Sequence, residues 1–201
     1  MAVTTERVVS TDEFLKILAS APTDVELELI EGQVRETPMT TRGPRHSTAI
    51  IRIGQALANW LDEQPARVGV VAGGEARCRI ARNPDTTVGI DVAYFEGIEI
   101  VELPDGAKFF DGPPVIAVEV LSPSDEHEDV VERIRNFLSA GVPQVWVADP
   151  DFQTVTVHRP GSRQHFFTAR QELDGEPELT GFRCIVESLF VGKPKARAAS
   201  E

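Results

Sequence analysis

An α/β fold built on a mixed sheet follows from three features of this 201-residue sequence. The runs at residues 88–95 and 115–121 are almost continuously apolar, as strands covered on both faces are. From residue 115 onward the order strand, helix, strand predicts a parallel pair joined by a crossover. Alternating or β-rich segments near both ends, at residues 25–29 and 154–158, add further strands.

Ser10-Thr11-Asp12-Glu13 is a capping-box pattern, continued at helical spacing by Phe14, Leu15, Ile17 and Leu18. This first helix is expected to stop near Ser20-Ala21-Pro22. Residues 25–29 alternate Val, Glu, Leu, Glu, Leu, and Glu31-Gly32 turns that strand into residues 33–36, completing an N-terminal helix-hairpin unit. After a Pro/Thr/Gly loop, His46, Ile50, Ile53, Leu57, Trp60 and Leu61 mark one face of a longer helix. Residues 67–72 and 76–80 read as strands around Gly73-Gly74, and Asn83-Pro84-Asp85 as a turn into the strand carrying Asp91.

Residues 97–114 are rich in Pro and Gly and form an excursion rather than a tight hairpin. If the strands flanking it pair antiparallel about its midpoint, Asp91 and Glu119 stand opposite each other with Cβ atoms roughly 5 Å apart. Ser122-Pro123-Ser124-Asp125 caps a helix reaching about Ala140, with Val130, Val131, Ile134, Phe137 and Leu138 as its buried stripe. Gly141 stops it and Pro143 follows. Residues 145–149 are the next strand, and 154–158 and 165–170 form a closing β meander. No repeat or low-complexity tract interrupts this order. The expected organisation is a flexible start over residues 1–9, one domain over 10–190 and a frayed tail over 191–201.

Composition removes several functional classes. At 41% hydrophobic the chain supports one full-sized core. No stretch has the apolar length of a membrane span and the N-terminus has no apolar signal core, so a cytoplasmic protein without membrane contact is expected. Cys78 and Cys184 are too few and too far apart for a disulfide scaffold or a four-ligand metal site. The formal charge of −12 opposes a simple electrostatic hold on nucleic acid. The charge is uneven, however. Residues 37–61 contain no acid but carry Arg42, Arg45, His46 and Arg52, forming either a basic face or a set of scattered, solvated arginines.

Known chemical signatures are mostly missing. Gly73-Gly74 lacks the Lys-Ser/Thr continuation of a phosphate loop, and no two histidines stand at helical ligand spacing. Ser47 and Ser122 lie in no nucleophile-elbow pattern. What remains is Asp91 and Glu119, each interrupting an apolar run. An unpaired carboxylate buried there costs on the order of several kcal/mol unless a proton, a cationic partner or a metal neutralises it. Two acids on neighbouring strands can hold a divalent cation; two acids at strand ends are merely solvated or hydrogen-bonded.

Five segments taken in order resemble one family. They are Glu28-Leu29-Ile30-Glu31-Gly32, His46 opening a helix, Ile90-Asp91-Val92, Val118-Glu119-Val120-Leu121-Ser122-Pro123-Ser124, and Gly141-Val142-Pro143-Gln144-Val145-Trp146-Val147-Ala148-Asp149-Pro150. Together, over residues 10 to 190, they are similar to the Uma-two family of restriction-endonuclease-like proteins, within the PD-(D/E)XK nuclease superfamily. The resemblance implies a restriction-endonuclease-like mixed sheet core flanked by helices. It implies an endonuclease hydrolysing phosphodiester bonds of nucleic acid, DNA foremost, with Mg2+ or Mn2+ held by Asp91 and Glu119. The lysine that normally completes such a site corresponds here to Arg133, which keeps the charge but cannot serve as a general base. Ile90, Gln33 and Phe137 depart from the family pattern as well.

Each residue also has a plainer reading. Asp129 and Arg133 are i,i+4 neighbours on a helix and can form a simple salt bridge. His46 heads an apolar helical stripe and can be a packed histidine rather than a supporting site residue. Glu28 and Glu31 can be solvated hairpin acids. Two functions therefore stand side by side. In the first, Asp91, Glu119 and Arg133 form a metal-dependent nuclease site, supported by Glu28, His46 and Asp129, with Arg42, Arg45 and Arg52 meeting the nucleic acid. In the second, a homodimeric, non-catalytic module keeps the fold and binds a partner.

Overall fold

The computed structural model describes residues 7–38 and 42–191, so the expected free start and tail fall largely outside the described residues. The chain runs α1 (Thr11–Ala19), β1 (Val25–Ile30), β2 (Gln33–Pro38), α2 (Pro44–Asp62), β3 (Gly69–Gly73), β4 (Cys78–Ala81), β5 (Thr86–Val88) and β6 (Val92–Glu96). It continues through a 3-10 turn (Ile100–Glu102), β7 (Phe110–Asp111), β8 (Ile116–Val120), α3 (His127–Ser139), β9 (Gln144–Asp149) and β10 (Thr154–His158). The last elements are β11 (His165–Phe167), β12 (Glu172–Gly175), β13 (Leu179–Ile185) and a 3-10 turn (Val186–Leu189).

The central sheet has six strands in the order β11-β10-β9-β8-β6-β3. It is mixed: β8 and β9 pair in parallel across α3, and the other neighbours are antiparallel. Strand periodicity distributes its side chains between two helices. Val92, Tyr94, Ile116, Val118, Val120, Trp146 and Ala148 pack with Ala49, Ile53, Leu57 and Trp60 of α2. The alternate set, Ala93, Phe95, Ala117 and Val145, packs with Phe137, Ile134 and Leu138 of α3. Glu119 shares the parity of Ala117 and so belongs to the α3 face.

A second sheet, ordered β2-β1-β5-β4-β7, lies beside the α3 face. Leu27 and Leu29 of β1 pack with Phe14 of α1, whereas Ile30 joins the α3 cluster. By the same alternation Glu28 faces the α3 side. The capping box forms as its sequence requires, Ser10 accepting from the Glu13 N–H and Glu13 from the Ser10 N–H. Thr11, fully buried, donates from its N–H and its hydroxyl to Asp85, locking α1 to the turn before β5.

The small β12–β13 hairpin closes the α2 side. Phe182, Leu173 and Leu179 join the α2 cluster, and the Trp60 indole donates to the Thr180 carbonyl at 3.1 Å. The buried Gln144 amide donates to the Gly175 carbonyl at 2.9 Å and accepts from the Trp146 indole at 2.9 Å, so its polar atoms are satisfied inside the core. Cys78 and Cys184 are both free thiols.

Three expectations change. The run 88–95 is two strands in different sheets, because β5 pairs with β1 and β4 whereas β6 pairs with β3 and β8. Asp91 therefore stands where the chain crosses between sheets, not in the middle of a strand. The Ser122–Asp125 segment makes its own turn, with Asp125 accepting from the Ser122 N–H and hydroxyl, and α3 begins later without a side-chain cap. Val131 is also left 38% exposed, outside the buried stripe, because that face of α3 meets solvent.

Candidate active site

The antiparallel register between β6 and β8 sets Val92 opposite Val118 and Ala93 opposite Ala117. One step further along the same register, Asp91 faces Glu119. The backbone ladder stops there, and the Asp91 carboxylate takes over, Oδ2 accepting from the Val120 N–H at 2.8 Å. Asp91 is 5% exposed and Glu119 9%, so both acids are buried. Asp91 Oδ1 and Glu119 Oε1 are buried oxygens without a hydrogen-bond partner. Left alone, such oxygens are costly, which makes them candidates for a ligand.

Arg133 reaches into the same place from α3. Its Nε donates to Glu119 Oε2 at 2.7 Å, one terminal nitrogen donates to Glu28 Oε1 at 2.9 Å, and the other to the Gly89 carbonyl at 3.0 Å. The Gly89 N–H donates in turn to Glu28 Oε1 at 3.3 Å. Glu28 therefore holds both the guanidinium and the backbone just before Asp91. Of the two readings of Arg133, the simple helical salt bridge with Asp129 gives way to these contacts. The guanidinium fork satisfies two buried or half-buried carboxylates and a carbonyl at once, which a surface acid one turn away cannot match. Asp129 instead lines the cleft.

Burial pushes the Glu119 carboxyl well above the usual carboxylate range, with Arg133 pulling it down and the charges of Asp91 and Glu75 pushing it further up. Arg133 is desolvated as well, yet Glu119 and Glu28 hold its charge firmly in place and raise its pKa. His46, 3% exposed, lies with Nε2 3.6 Å from Asp91 Oδ2, and neither ring nitrogen makes a hydrogen bond. It both packs in the α2 stripe and adjoins the acid pair.

Glu28, Asp91, Glu119 and Arg133 line a cleft of about 430 Å3 between the second sheet and α3. Its acids outnumber its arginines, which are Arg35, Arg42 and Arg133. The three arginines expected to meet nucleic acid do not share one free basic face. Arg42 lies within 3.4 to 3.7 Å of Glu26, Glu75 and Asp125, Arg45 pairs with Asp151 at 2.9 Å, and Arg52 reaches Gln55 at 3.5 Å. Glu31 is exposed in the β1–β2 turn with φ 50° and does not line the cleft.

Among the described residues, no three His, Cys, Asp or Glu side chains form a ready-made metal cage. The donors present still suit a hard divalent cation, because Asp91 and Glu119 offer two open carboxylate oxygens and Mg2+ keeps much of its water. Glu75 was not foreseen. Its sequence position, just after Gly73-Gly74 and 16 residues before Asp91, marks a turn, but only the folded chain brings its backbone against the Asp91 segment.

The Uma2 family model, described as "Putative restriction endonuclease", matches residues 11–187. Among solved structures, the chain is similar to a protein from Anabaena variabilis described as "a putative nuclease belonging to DUF820". The two are 26% identical with a TM-score of 0.71, over 90% of this chain and 97% of the other. The shared architecture is the restriction-endonuclease-like mixed α/β fold. No curated protein matches.

Proposed function

This chain belongs to the Uma2 family of nuclease-fold proteins, and on that premise we propose that it is a metal-dependent endonuclease acting on DNA. The observation that carries the reading is the pair of open, buried oxygens on Asp91 and Glu119 at facing positions of two adjacent segments. A bound Mg2+ or Mn2+ would orient a water and shield the charge developing on a phosphodiester.

The chain's own residues supply the rest. Val120 fixes the Asp91 carboxylate by its N–H, leaving Oδ1 free. Arg133 fixes Glu119 through Oε2, leaving Oε1 free. Glu28 fixes Arg133, and so acts as a positioning residue. His46 shields Asp91 from the α2 side. Arg133 keeps its proton, so it contributes charge and orientation but takes no proton from water. The surplus of acids around the cleft disfavours a bare phosphate backbone, so cations would have to accompany the substrate.

Plasmid cleavage in low salt, with and without Mg2+, tests this reading. Wild type should cut only with the metal and Asp91→Ala should not cut. Absence of wild-type cleavage, or equal cleavage by Asp91→Ala, would count against it. The doubly anchored Arg133 also favours a second reading, a binding module with a frozen site. Where wild type does not cut, Arg133→Lys separates the two, since gain of cleavage identifies an enzyme disabled by its arginine and no gain leaves the module.

A further inference from the structure

Glu75 adjoins this site without belonging to its sequence signature. It follows the Gly73-Gly74 end of β3 and holds a φ of 62°, a left-handed conformation that disfavours residues with a Cβ. Its carboxylate lies directly over Gly89: a Cβ there would come within 2.5 Å of Glu75 Oε2. Gly89 is the residue that also serves Glu28 and Arg133 through its backbone. The chain thus leaves room at residue 89 where the carboxylate passes.

The two oxygens of Glu75 differ. Oε1 is 3.4 Å from Arg42, whereas Oε2 is buried with no partner. The backbone on either side of Glu75 is held against the Asp91 segment, the Gly74 N–H donating to the Asp91 carbonyl at 3.0 Å and the Ala76 N–H to the Ile90 carbonyl at 2.9 Å. A carboxylate serving Arg42 alone would need neither the left-handed backbone nor the missing side chain at residue 89. A second observation comes from a side chain that is not an acid: His46, almost fully buried and without a hydrogen bond at either nitrogen, lies with Nε2 3.6 Å from Asp91 Oδ2.

We propose that Glu75 is a third carboxylate of the cation site, set beside Asp91 and Glu119 to strengthen its hold on a divalent ion. This rests on the cation reading given above. Because no three acids form a closed cage among the described residues, Glu75 acts on the ion through its charge and through water. Hard divalent ions suit that arrangement because they retain several waters. Glu75 is accordingly a positioning residue for the cation rather than a catalytic one.

Calorimetric titration of Mn2+ into the full chain, stripped of metal beforehand, tests the assignment. Glu75→Gln should bind about tenfold to a hundredfold more weakly than wild type, the usual loss when a group supporting a metal site is removed. Glu126→Gln, an exposed acid on the cleft rim, should bind as wild type does and so controls for charge alone. Gly89→Ala, which displaces the Glu75 carboxylate while leaving every acid in the sequence, should reproduce the loss. If Glu75→Gln does not fold by circular dichroism, Gly89→Ala and Glu75→Asp carry the comparison. Wild-type affinity in folded Glu75 and Gly89 variants, with binding abolished in Asp91→Asn, overturns the role of Glu75 alone. No Mn2+ binding by wild type overturns the cation reading and this assignment together.

Discussion

Arg133 Nε stands 2.7 Å from Glu119 Oε2, and that contact joins α3 to the central sheet. The same guanidinium reaches Glu28 of the second sheet, so one side chain ties three elements together. Removing it strands a buried acid. Arg133→Ala is expected to lower stability by about 3 kcal/mol near neutral pH, the scale for breaking one partner of a buried pair. Burial already raises the Glu119 pKa, and loss of Arg133 raises it further, so the folded variant takes up a proton that the unfolded chain does not hold. Its deficit should therefore shrink as pH falls towards the ordinary carboxylate range. Urea titrations at pH 8 and pH 5 check this; equal deficits at both would refute it.

Asp91→Asn keeps an acceptor for the Val120 N–H while removing a buried charge. In metal-free buffer it should melt at or above the wild-type temperature. Wild type should gain about 2.7 kcal/mol when Mg2+ is supplied at one hundred times its dissociation constant, and the variant should gain nothing. Differential scanning calorimetry with and without Mg2+ reads both effects, and an equal metal-induced gain in the two proteins would exclude Asp91 from the site.

Asp111 gives the clearest acid-side prediction. Its hydrogen bond from Arg79, at 2.9 Å from Nε and 2.7 Å from a terminal nitrogen, holds its carboxyl below the usual range, with Arg82 adding to the effect. A depressed folded pKa means stability that is present above the unfolded value and lost as pH falls through the folded one. Asp111→Asn should therefore melt below wild type at pH 7 and approach it at the acid end of the carboxylate range. Parallel melting curves with a constant offset down to pH 2 would show that the pair does not couple to folding.

Phe137 sits fully buried on the α3 face that carries Arg133 one turn earlier. Phe137→Ala should cost about 3 to 5 kcal/mol through the lost contacts and the cavity left behind. Because the helix would also seat less firmly, Arg133 should loosen its hold on Glu119, and metal affinity should fall with stability. Phe137→Tyr, which changes little volume but adds a hydroxyl against a packed face, should cost less than the alanine variant. Chemical denaturation of the three proteins orders them, and an alanine variant as stable as wild type would contradict the packing.

Much of the fold was legible from local pattern. The Ser10–Glu13 capping box, the α2 stripe through Ile53, Leu57 and Trp60, and the strand, helix, strand order around Glu119 all appear as expected. The symmetric pairing of residues 91 and 119 about the excursion between them also follows the observed register. Less legible was the division of the strands between two sheets, since an apolar run such as 88–95 looks the same whether it is one strand or two. The sequence likewise could not choose between Asp129 and Glu119 as the partner of Arg133. Helical spacing favours the first, and only burial makes the second prevail.

By its sequence alone this protein is an α/β chain with two acids set into apolar runs, because periods of two and 3.6 residues are properties of neighbouring positions. Which groups meet around those acids was settled by tertiary structure. Glu28, Glu75 and Arg133 come from a hairpin, a turn and a helix, and converge only when β8, α3 and the second sheet pack together. The physical reason is that charge and burial act through space. A carboxylate becomes a site when its neighbours in three dimensions leave one oxygen dry and unpaired, whatever separates them along the chain.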